Sequence, residues 1–302
     1  MSDTDDDAAE GWFASGSPAG TEAAGGDGAL RARIAAGEAD EPRDWPGLAV
    51  DSGFAESRDD YYDRLHEASV TATREAVRER ERADDKQLVH AVRAMDDCER
   101  TANELAERAA EWAGSLFDGA EPGIEGARAV AERDPDGELE RRAVSLAARV
   151  VDLAAERDAL AETIERTAPA VAPNLAEMAG PELAARLIAL AGGLETLAKK
   201  PSGTVQVLGA EDALFAHLSG RAPSPKHGII YTHEYVRNTR PEDRGSAARA
   251  LAGKLTLAAR VDHYSGERRE TLHEELRERM ATIRARAESG NAGAADDTEG
   301  DA

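Results

Sequence analysis

From about Asp60 the chain becomes continuously helix-favouring, dense in Glu and Arg and free of proline until Pro122. Within this stretch Leu88, Val92, Met95, Cys98, Ala102, Leu105, Ala109, Trp112 and Leu116 follow spacings of 4, 3, 3, 4, 3, 4, 3 and 4. That recurrence lays an apolar seam along one helical face. After a break from Asp118-Gly119 to Asp136-Gly137, spacings of 4 and 3 resume through Leu139, Ala143, Leu146, Val150, Leu153, Arg157, Leu160 and Ile164. Two such helices joined by a loop predict an antiparallel hairpin with arms roughly 45 Å long, at about 1.5 Å per residue. Its large seam residues, Leu88, Val92, Met95, Leu105, Trp112, Leu146, Val150 and Leu153, are the expected coiled-coil contacts. Arg157 interrupts the second seam, where it either snorkels or pairs with an acid, or else selects register between chains.

The flanking sequence divides the rest. Residues 1–60 hold fifteen acids, four arginines and nine glycines with little hydrophobic periodicity, a pattern of weak structure. Two apolar patches there, Trp12-Phe13 and Trp45 to Val50, are candidates to dock on a partner or on the chain's own core. Pro169, Pro173 and Pro181 mark a second boundary, followed by a Leu-rich helix (Leu183, Leu187, Leu190, Leu194, Leu197) that runs to Lys199-Lys200-Pro201. The expected organisation is therefore a short, poorly structured acidic region at 1–60, a coiled-coil hairpin at 61–168 and a separate domain at 169–270. A charged helical extension at 271–287 and a disordered acidic tail at 288–302 complete it.

Composition agrees with a mainly α architecture. Of 302 residues 41% are hydrophobic but only 4% aromatic, the excess being alanine, so cores are thin and helix-supported. The net charge is −23, carried by 60 acids against 37 bases, of which five are lysines. An acid-rich, lysine-poor surface is a solubility device suited to a cytoplasm of very high salt, and it argues against a generic nucleic-acid coat. No apolar run approaches the roughly 20 residues of a membrane span, and Met1 to Glu10 is acidic where a signal peptide is basic, so a cytoplasmic protein is expected. The single cysteine, Cys98, excludes an internal disulfide and a multi-cysteine zinc site.

Against this background one segment is basic. Between His217 and Arg260 there are eight Lys or Arg and three acids. A basic island in so acidic a chain is the footprint of an anionic partner. A helix expected over Arg244 to Val261 places Arg249 and Arg260 eleven positions apart, about 20° past three full turns, so both share a face about 16 Å apart. Ala252, Gly253 and Thr256 lie between them, and small residues there suit close approach of a phosphate backbone; two solvated arginines are the bland alternative. Upstream, Pro223 to Tyr231 is a stiff loop feeding a short strand-like run at Ile229-Ile230-Tyr231. Within it Gly228 permits close backbone approach, and His227 either stacks on a base or is simply solvated. Lys199 and Lys200 end a helix, where they also complement its dipole. No Gly-x-Gly-x-x-Gly, P-loop, nucleophile elbow or His-Glu-x-x-His is present, the seven histidines form no ligand cluster, and Gly192-Gly193 reads as a packing point. A non-catalytic protein without cofactor or metal is the expectation.

The island also carries motifs. Lys199 to Glu211 (Lys-Lys-Pro-Ser-Gly-Thr-Val-Gln-Val-Leu-Gly-Ala-Glu), Lys226-His227-Gly228-Ile229-Ile230-Tyr231, Ala247 to Leu255, and Ala258-Ala259-Arg260-Val261-Asp262 occur in the order found in Nop domains. The upstream hairpin, with Asp96-Asp97 and Ala110-Glu111-Trp112, resembles that family's coiled coil, so the likeness covers about Asp84 to Glu267. The family comprises archaeal box C/D ribonucleoprotein scaffolds, nucleolar Nop proteins and a spliceosomal Prp protein. The resemblance implies an all-helical Nop domain that recognises a kink-turn guide RNA together with its small ribosomal-type kink-turn-binding protein. It implies a homodimer through the coiled coil, and an N-terminal domain that holds fibrillarin, the 2′-O-methyltransferase. By position, Lys199, His227, Arg249 and Arg260 match RNA-contacting residues, and Gly209, Ala210, Glu211 and Lys226 fall in the ribonucleoprotein interface. Two basic residues of the family pattern are replaced by Asp212 and Ala216, and the N-terminal region is short. The rival expectation is a helical adaptor that binds only proteins.

Overall fold

Five aromatic side chains gather in the first of two compact units, Met1–Ala83. The computed structural model describes residues 12, 13, 32, 34 and 43–296. Phe13, Phe54 and Tyr61 are buried, with Trp12 and Trp45 packed against them, so the two apolar patches of the acidic region meet in a core of their own. The Trp12 indole donates to the Tyr61 hydroxyl at 3.2 Å and stands edge-on to Phe54. Asp44 caps α1 (Trp45–Asp51), and Ser57 caps α2 (Arg58–Glu81) by accepting from the Asp60 amide. The Asp60 carboxylate accepts in return from the Glu56 amide, closing a reciprocal cap, and this bond together with the one from Arg64 holds its pKa below the ordinary value. The weak structure expected elsewhere in 1–42 lies outside the described residues.

The second unit, Asp84–Ala302, contains the hairpin. Its arms are α3 (Asp84–Gly114) and α5 (Glu138–Val171), and α3 begins after the first unit ends, so residues 61–83 belong to that unit instead of to the hairpin. The connection, expected to be a loop, folds a helix of its own, α4 (Gly123–Ala131), which packs on both arms through Ala127 and Val130. The seam is also finer than its spacing suggests. Near the base Leu88, Val92 and Met95 are buried against Ile164 and Ala168. Farther out the buried stripes are Ala102, Ala106, Ala109 and Ala113 on α3 facing Ala143, Ala147, Val150 and Ala154 on α5. Leu105, Trp112, Leu146 and Leu153 are half-buried along the flank and Leu139 is exposed. Alanine takes the line of closest approach because only a short side chain lets the helices close; the leucines step aside. Arg157 Nε lies 2.8 Å from the Asp158 carboxylate.

Beyond the hairpin come α6 (Pro173–Ala179), α7 (Pro181–Ala191), α8 (Leu194–Lys199), α9 (Ser202–Val207), α10 (Glu211–Leu218), a 3-10 turn (Ile229–Thr232), α11 (Glu234–Arg237), α12 (Arg244–Tyr264) and α13 (Thr271–Asp296). Pro169 is accommodated inside α5, while Pro173 and Pro181 open new helices. The Leu-rich segment is two helices: α7 ends at Gly192 in the left-handed region, and the Asp85 carboxylate accepts from the first amide of α8 at 2.9 Å. The strand-like run Ile229-Ile230-Tyr231 is the 3-10 turn, and the C-terminal helix runs past Ala287 to Asp296. The remainder of the expected disordered tail, 297–302, lies outside the described residues. No helix among the described residues is long and apolar enough to cross a membrane.

Helix α12 is the spine of this head. Leu251, Leu255, Ala258 and Ala259 are buried, and α6, α8, α9, α11 and α13 pack on it. Asp262, at its C-terminal end, is buried and accepts from the Asn174 amide, the Asn174 side chain and the Leu175 amide at 3.0, 2.6 and 2.8 Å. The carboxylate thereby satisfies the first donors of α6. Asn174 also accepts from the Arg269 amide at 2.7 Å, tying in the segment that leads to α13. Arg186 of α7 spans Asp96 of the hairpin at 2.7 Å and Glu182 at 3.0 Å, and Lys86 donates to the Gly192 carbonyl. Hairpin and head are thus pinned to each other at the hairpin's base.

Candidate nucleic-acid interface

The basic island folds around a backbone clasp. The Gly228 amide donates to the Gln206 carbonyl and the Ile229 amide to the Leu208 carbonyl, each at 2.8 Å, while the Gln206 side chain donates to the Lys226 carbonyl at 2.7 Å. Any Cβ at Gly228 would lie 2.0 Å from the Leu208 carbonyl oxygen, so glycine is required there because the loop presses on its own chain. Gly209, with φ +82°, follows at once and donates its amide to the Glu211 carboxylate at 2.9 Å. A side chain at Gly209 would crowd Ile229 and Leu190. The clasp thus brings Gly209, Ala210 and Glu211 beside Lys226 and His227, two stretches that are far apart in sequence.

His227 stacks on Tyr231 with ring centroids 4.7 Å apart and planes 22° from parallel. The Arg244 guanidinium lies 5.3 Å over the same Tyr231 ring, anchored by its Nε donating to the Thr239 carbonyl at 3.1 Å. Burial, and then the Arg244 charge, push the His227 pKa below the ordinary histidine value, so the ring is neutral near pH 7. Spacing arguments passed over Tyr231 and Arg244 as site residues; the signal available was Tyr231 four positions after His227 and Arg244 at the head of the predicted helix. The Lys226 stem runs past Gly245 at the start of α12.

One turn further on, Arg249 is exposed and makes no hydrogen bond or ion pair among the described residues. Arg260 is exposed as well, its Nε donating to the Ala198 carbonyl at the end of α8. Next to it Lys199 pairs with Glu195 at 2.6 Å, a bond that raises the lysine pKa. The small face between the arginines is only partly open. Ala252 and Thr256 are buried, Thr256 donating to the Ala252 carbonyl, and α8 and α9 pack on this helix; their smallness serves helix packing instead of phosphate approach. Gly253 alone of the three is open, with nothing within 4 Å of where its Cβ would stand.

Helix α10 differs from its neighbours in burying none of its residues. Phe215 is 64% and Leu218 77% exposed, with the Arg221 guanidinium 5.7 Å over the Phe215 ring. Asp212 and Ala216, the replacements for two basic residues, lie on this helix, which carries no Lys or Arg.

Two cationic centres therefore flank α12: Lys226, Arg244 and Arg249 with His227 toward its start, Lys199 and Arg260 toward its end. A family model described as "Nop: snoRNA binding domain, fibrillarin" matches residues 83–284. The chain belongs to the Nop family. It is 34% identical over 269 residues to an uncharacterised NOP5 family protein of Methanocaldococcus jannaschii, covering 77% of this chain and 65% of that one. Nucleolar protein 58 of Candida albicans is 44% identical over 127 residues, 42% of this chain and 25% of its own length. Nucleolar protein 56 of Schizosaccharomyces pombe is 43% identical over 122 residues, 40% of this chain and 24% of its own. The chain thus spans less than two thirds of each of these relatives. Among solved structures, a chain of the crystal structure of a fibrillarin/Nop5p complex aligns with a TM-score of 0.50 at 26% identity, covering 91% of this chain and 98% of that chain. The clasp, the two cationic centres and α12 all fall within the matched Nop region.

Proposed function

We propose that this chain is a non-catalytic scaffold of a box C/D guide ribonucleoprotein. The head binds a kink-turn RNA already carrying its small kink-turn-binding protein, with Lys199, His227, Arg249 and Arg260 on the RNA and the Gly209–Glu211 turn and Lys226 in the ribonucleoprotein interface. The observation that carries this reading is the pair of cationic centres held 16 Å apart by one rigid helix, at about 1.5 Å per residue, in a chain of charge −23. High salt shortens the Debye length to about 3 Å at 1 M, which removes diffuse attraction and leaves bidentate Arg–phosphate bonds and shape to do the recognising.

The flank of the hairpin supports a homodimer. Trp112 and Leu153 are half-buried outside the alanine contact between the arms, and Leu105 and Leu146 pack only partly on that core, so their open portions offer a second copy apolar surface. The described neighbour is a fibrillarin/Nop5p complex, and on that likeness the chain recruits a fibrillarin-type methyltransferase, which supplies the chemistry of RNA 2′-O-methylation.

A gel shift in molar KCl tests the reading. Kink-turn RNA, alone and with its small protein, is titrated with this chain, and a supershift confined to the preformed complex is expected. No shift in either lane, with protein complexes that survive nuclease, would leave the chain a protein-only adaptor.

A further inference from the structure

The outward face of α12 does not end at Arg260. Arg249, Gly253, Leu257, Arg260 and Tyr264 recur at three- and four-residue steps, and so share one side of the helix, opposite the buried Leu251, Leu255, Ala258 and Asp262. On that side Tyr264 is 68% and Leu257 41% exposed, unusual for large side chains on an otherwise well-packed helix. They bracket Arg260, Leu257 three residues before it and Tyr264 four after. The Tyr264 ring packs edge-on against His263 with centroids 4.6 Å apart, which steadies it while leaving a face free. Because the Nε of Arg260 is committed to the Ala198 carbonyl, its remaining nitrogens are the ones free for an incoming anion.

We propose that the Tyr264 ring is a docking step for one unpaired nucleobase, whose phosphate is held by Arg260, with Leu257 on the far side of the arginine. The proposal rests on the RNA-binding reading above and extends it to residues that reading does not use. The separation fits a nucleotide: four helical residues place the Tyr264 ring about 6 Å along the axis from Arg260, comparable to the reach from a phosphate to its own base. The charge fits as well: Arg260 lies one turn before the ring, bonded to the end of the helix that carries Lys199, and Lys199 is close enough for Tyr264 to act on its ammonium. A protein partner fits less well. Two apolar side chains about 10 Å apart with an arginine between them make too small a patch for a protein interface core, whereas the single Tyr264 ring is enough for one base, since every base offers a π-face to an aromatic ring.

The experiment uses the full chain with a kink-turn RNA and its bound small protein in molar KCl, read by gel shift. Tyr264→Ala is expected to weaken binding roughly tenfold, and Tyr264→Phe, which keeps the ring, to recover most of that loss. On the RNA side, abasic substitution at each unpaired nucleotide is expected to find one position that costs the wild-type chain about tenfold and costs Tyr264→Ala nothing further. Wild-type affinity in Tyr264→Ala, or full additivity at every abasic position, overturns the base-docking step while leaving the RNA reading intact. Absence of any RNA complex with the wild-type chain overturns both. A variant that changes sedimentation but not RNA affinity would make this face a protein contact, and that also overturns the proposal.

Discussion

The outer hairpin and the head both bury alanine where helices meet, yet they hold together by different physics. Between the arms the buried stripe is Ala102, Ala106, Ala109 and Ala113 against Ala143, Ala147, Val150 and Ala154, with no polar side chain among the buried described residues of the two arms. In the head the buried side chains include Asn174, Thr239, Thr256 and Asp262. The hairpin depends on one distance repeated many times, so it tolerates loss of any single contact but not the insertion of bulk. The head has an apolar core of its own around Leu187, Ile188, Leu251 and Leu255, and adds to it a few directed hydrogen bonds, each of which fixes a loop or helix end that no periodicity specifies.

The sharpest way to break this comparison is at Asp262. Its carboxylate receives three donors, and Asp262→Ala leaves the Asn174 and Leu175 backbone amides buried without an acceptor, while the Asn174 side chain keeps only the Glu267 carbonyl. A loss of roughly 3 kcal/mol or more is expected in urea unfolding. A loss below about 1 kcal/mol would mean that the head, like the hairpin, is held by packing. On the other arm of the comparison, Ala147→Leu forces a large side chain into the alanine stripe and is expected to cost roughly 2 kcal/mol. Leu153→Gln, on the half-buried flank, is expected to leave unfolding within about 0.5 kcal/mol of wild type and to weaken self-association in sedimentation. Stabilisation by Ala147→Leu would show that the arms are farther apart than the alanine contact requires.

The same contrast governs what the sequence made legible. Periodicity located both arms, because a repeat of 3 and 4 needs only hydrophobicity to be seen. It did not separate the alanines at closest approach from the leucines beside them, since adjacent stripes of one helix share the same period and differ only in size. In the head the positions of Arg249 and Arg260 followed from helical geometry, whereas the burial of Ala252 and Thr256 did not. The helices packed on this stretch include α8 and α9, which lie 45 to 62 residues upstream, and no local rule predicts that contact. The 3-10 turn at Ile229–Thr232 was hidden for a similar reason. Its β-branched run favours a strand, and the clasp through Gly228 and Leu208 overrides the preference. The partnership of Asn174 with Asp262, eighty-eight positions apart, left no trace in composition at all.

The interface itself gives a prediction of intermediate size. Arg249→Ala and Arg260→Ala are each expected to weaken binding to the RNA complex about tenfold in molar KCl, by removing charge-assisted bonds that screening does not erase. Arg249, with no partner among the described residues, is expected to affect binding alone. Arg260, which also holds the Ala198 carbonyl, is expected to lower stability slightly as well. Equal affinities for both variants and the wild type would remove α12 from the RNA surface. A melting temperature that does not rise between dilute buffer and molar KCl would separately remove the high-salt reading of the −23 charge.

The smallest effect distinguishes head from hairpin by pH. His233 caps α11: its Nδ1 faces the Tyr235 amide at 3.1 Å, and its Nε2 faces the Met178 carbonyl at 3.1 Å. An amide can only donate and a carbonyl only accept, so the proton sits on Nε2 and the ring is neutral. Burial lowers its pKa below the ordinary value of 6.5. The unfolded chain therefore takes up a proton before the folded one does as pH falls. Stability is fully present above 6.5 and is lost as pH drops from there through the folded pKa, at no more than about 1.4 kcal/mol per pH unit. The carboxylate of Glu177, held below its usual 4.5 chiefly by its bond from Arg268, gives way only at lower pH, so the interval just below 6.5 belongs to the two lowered histidines of the head, His233 and His227, and a variant at His233 separates them. His233→Asn keeps an acceptor for the Tyr235 amide but cannot titrate. Its melting temperature is expected to be flatter with pH across that interval than the wild type's, and parallel curves would assign the acid sensitivity to groups outside the head's buried hydrogen bonds.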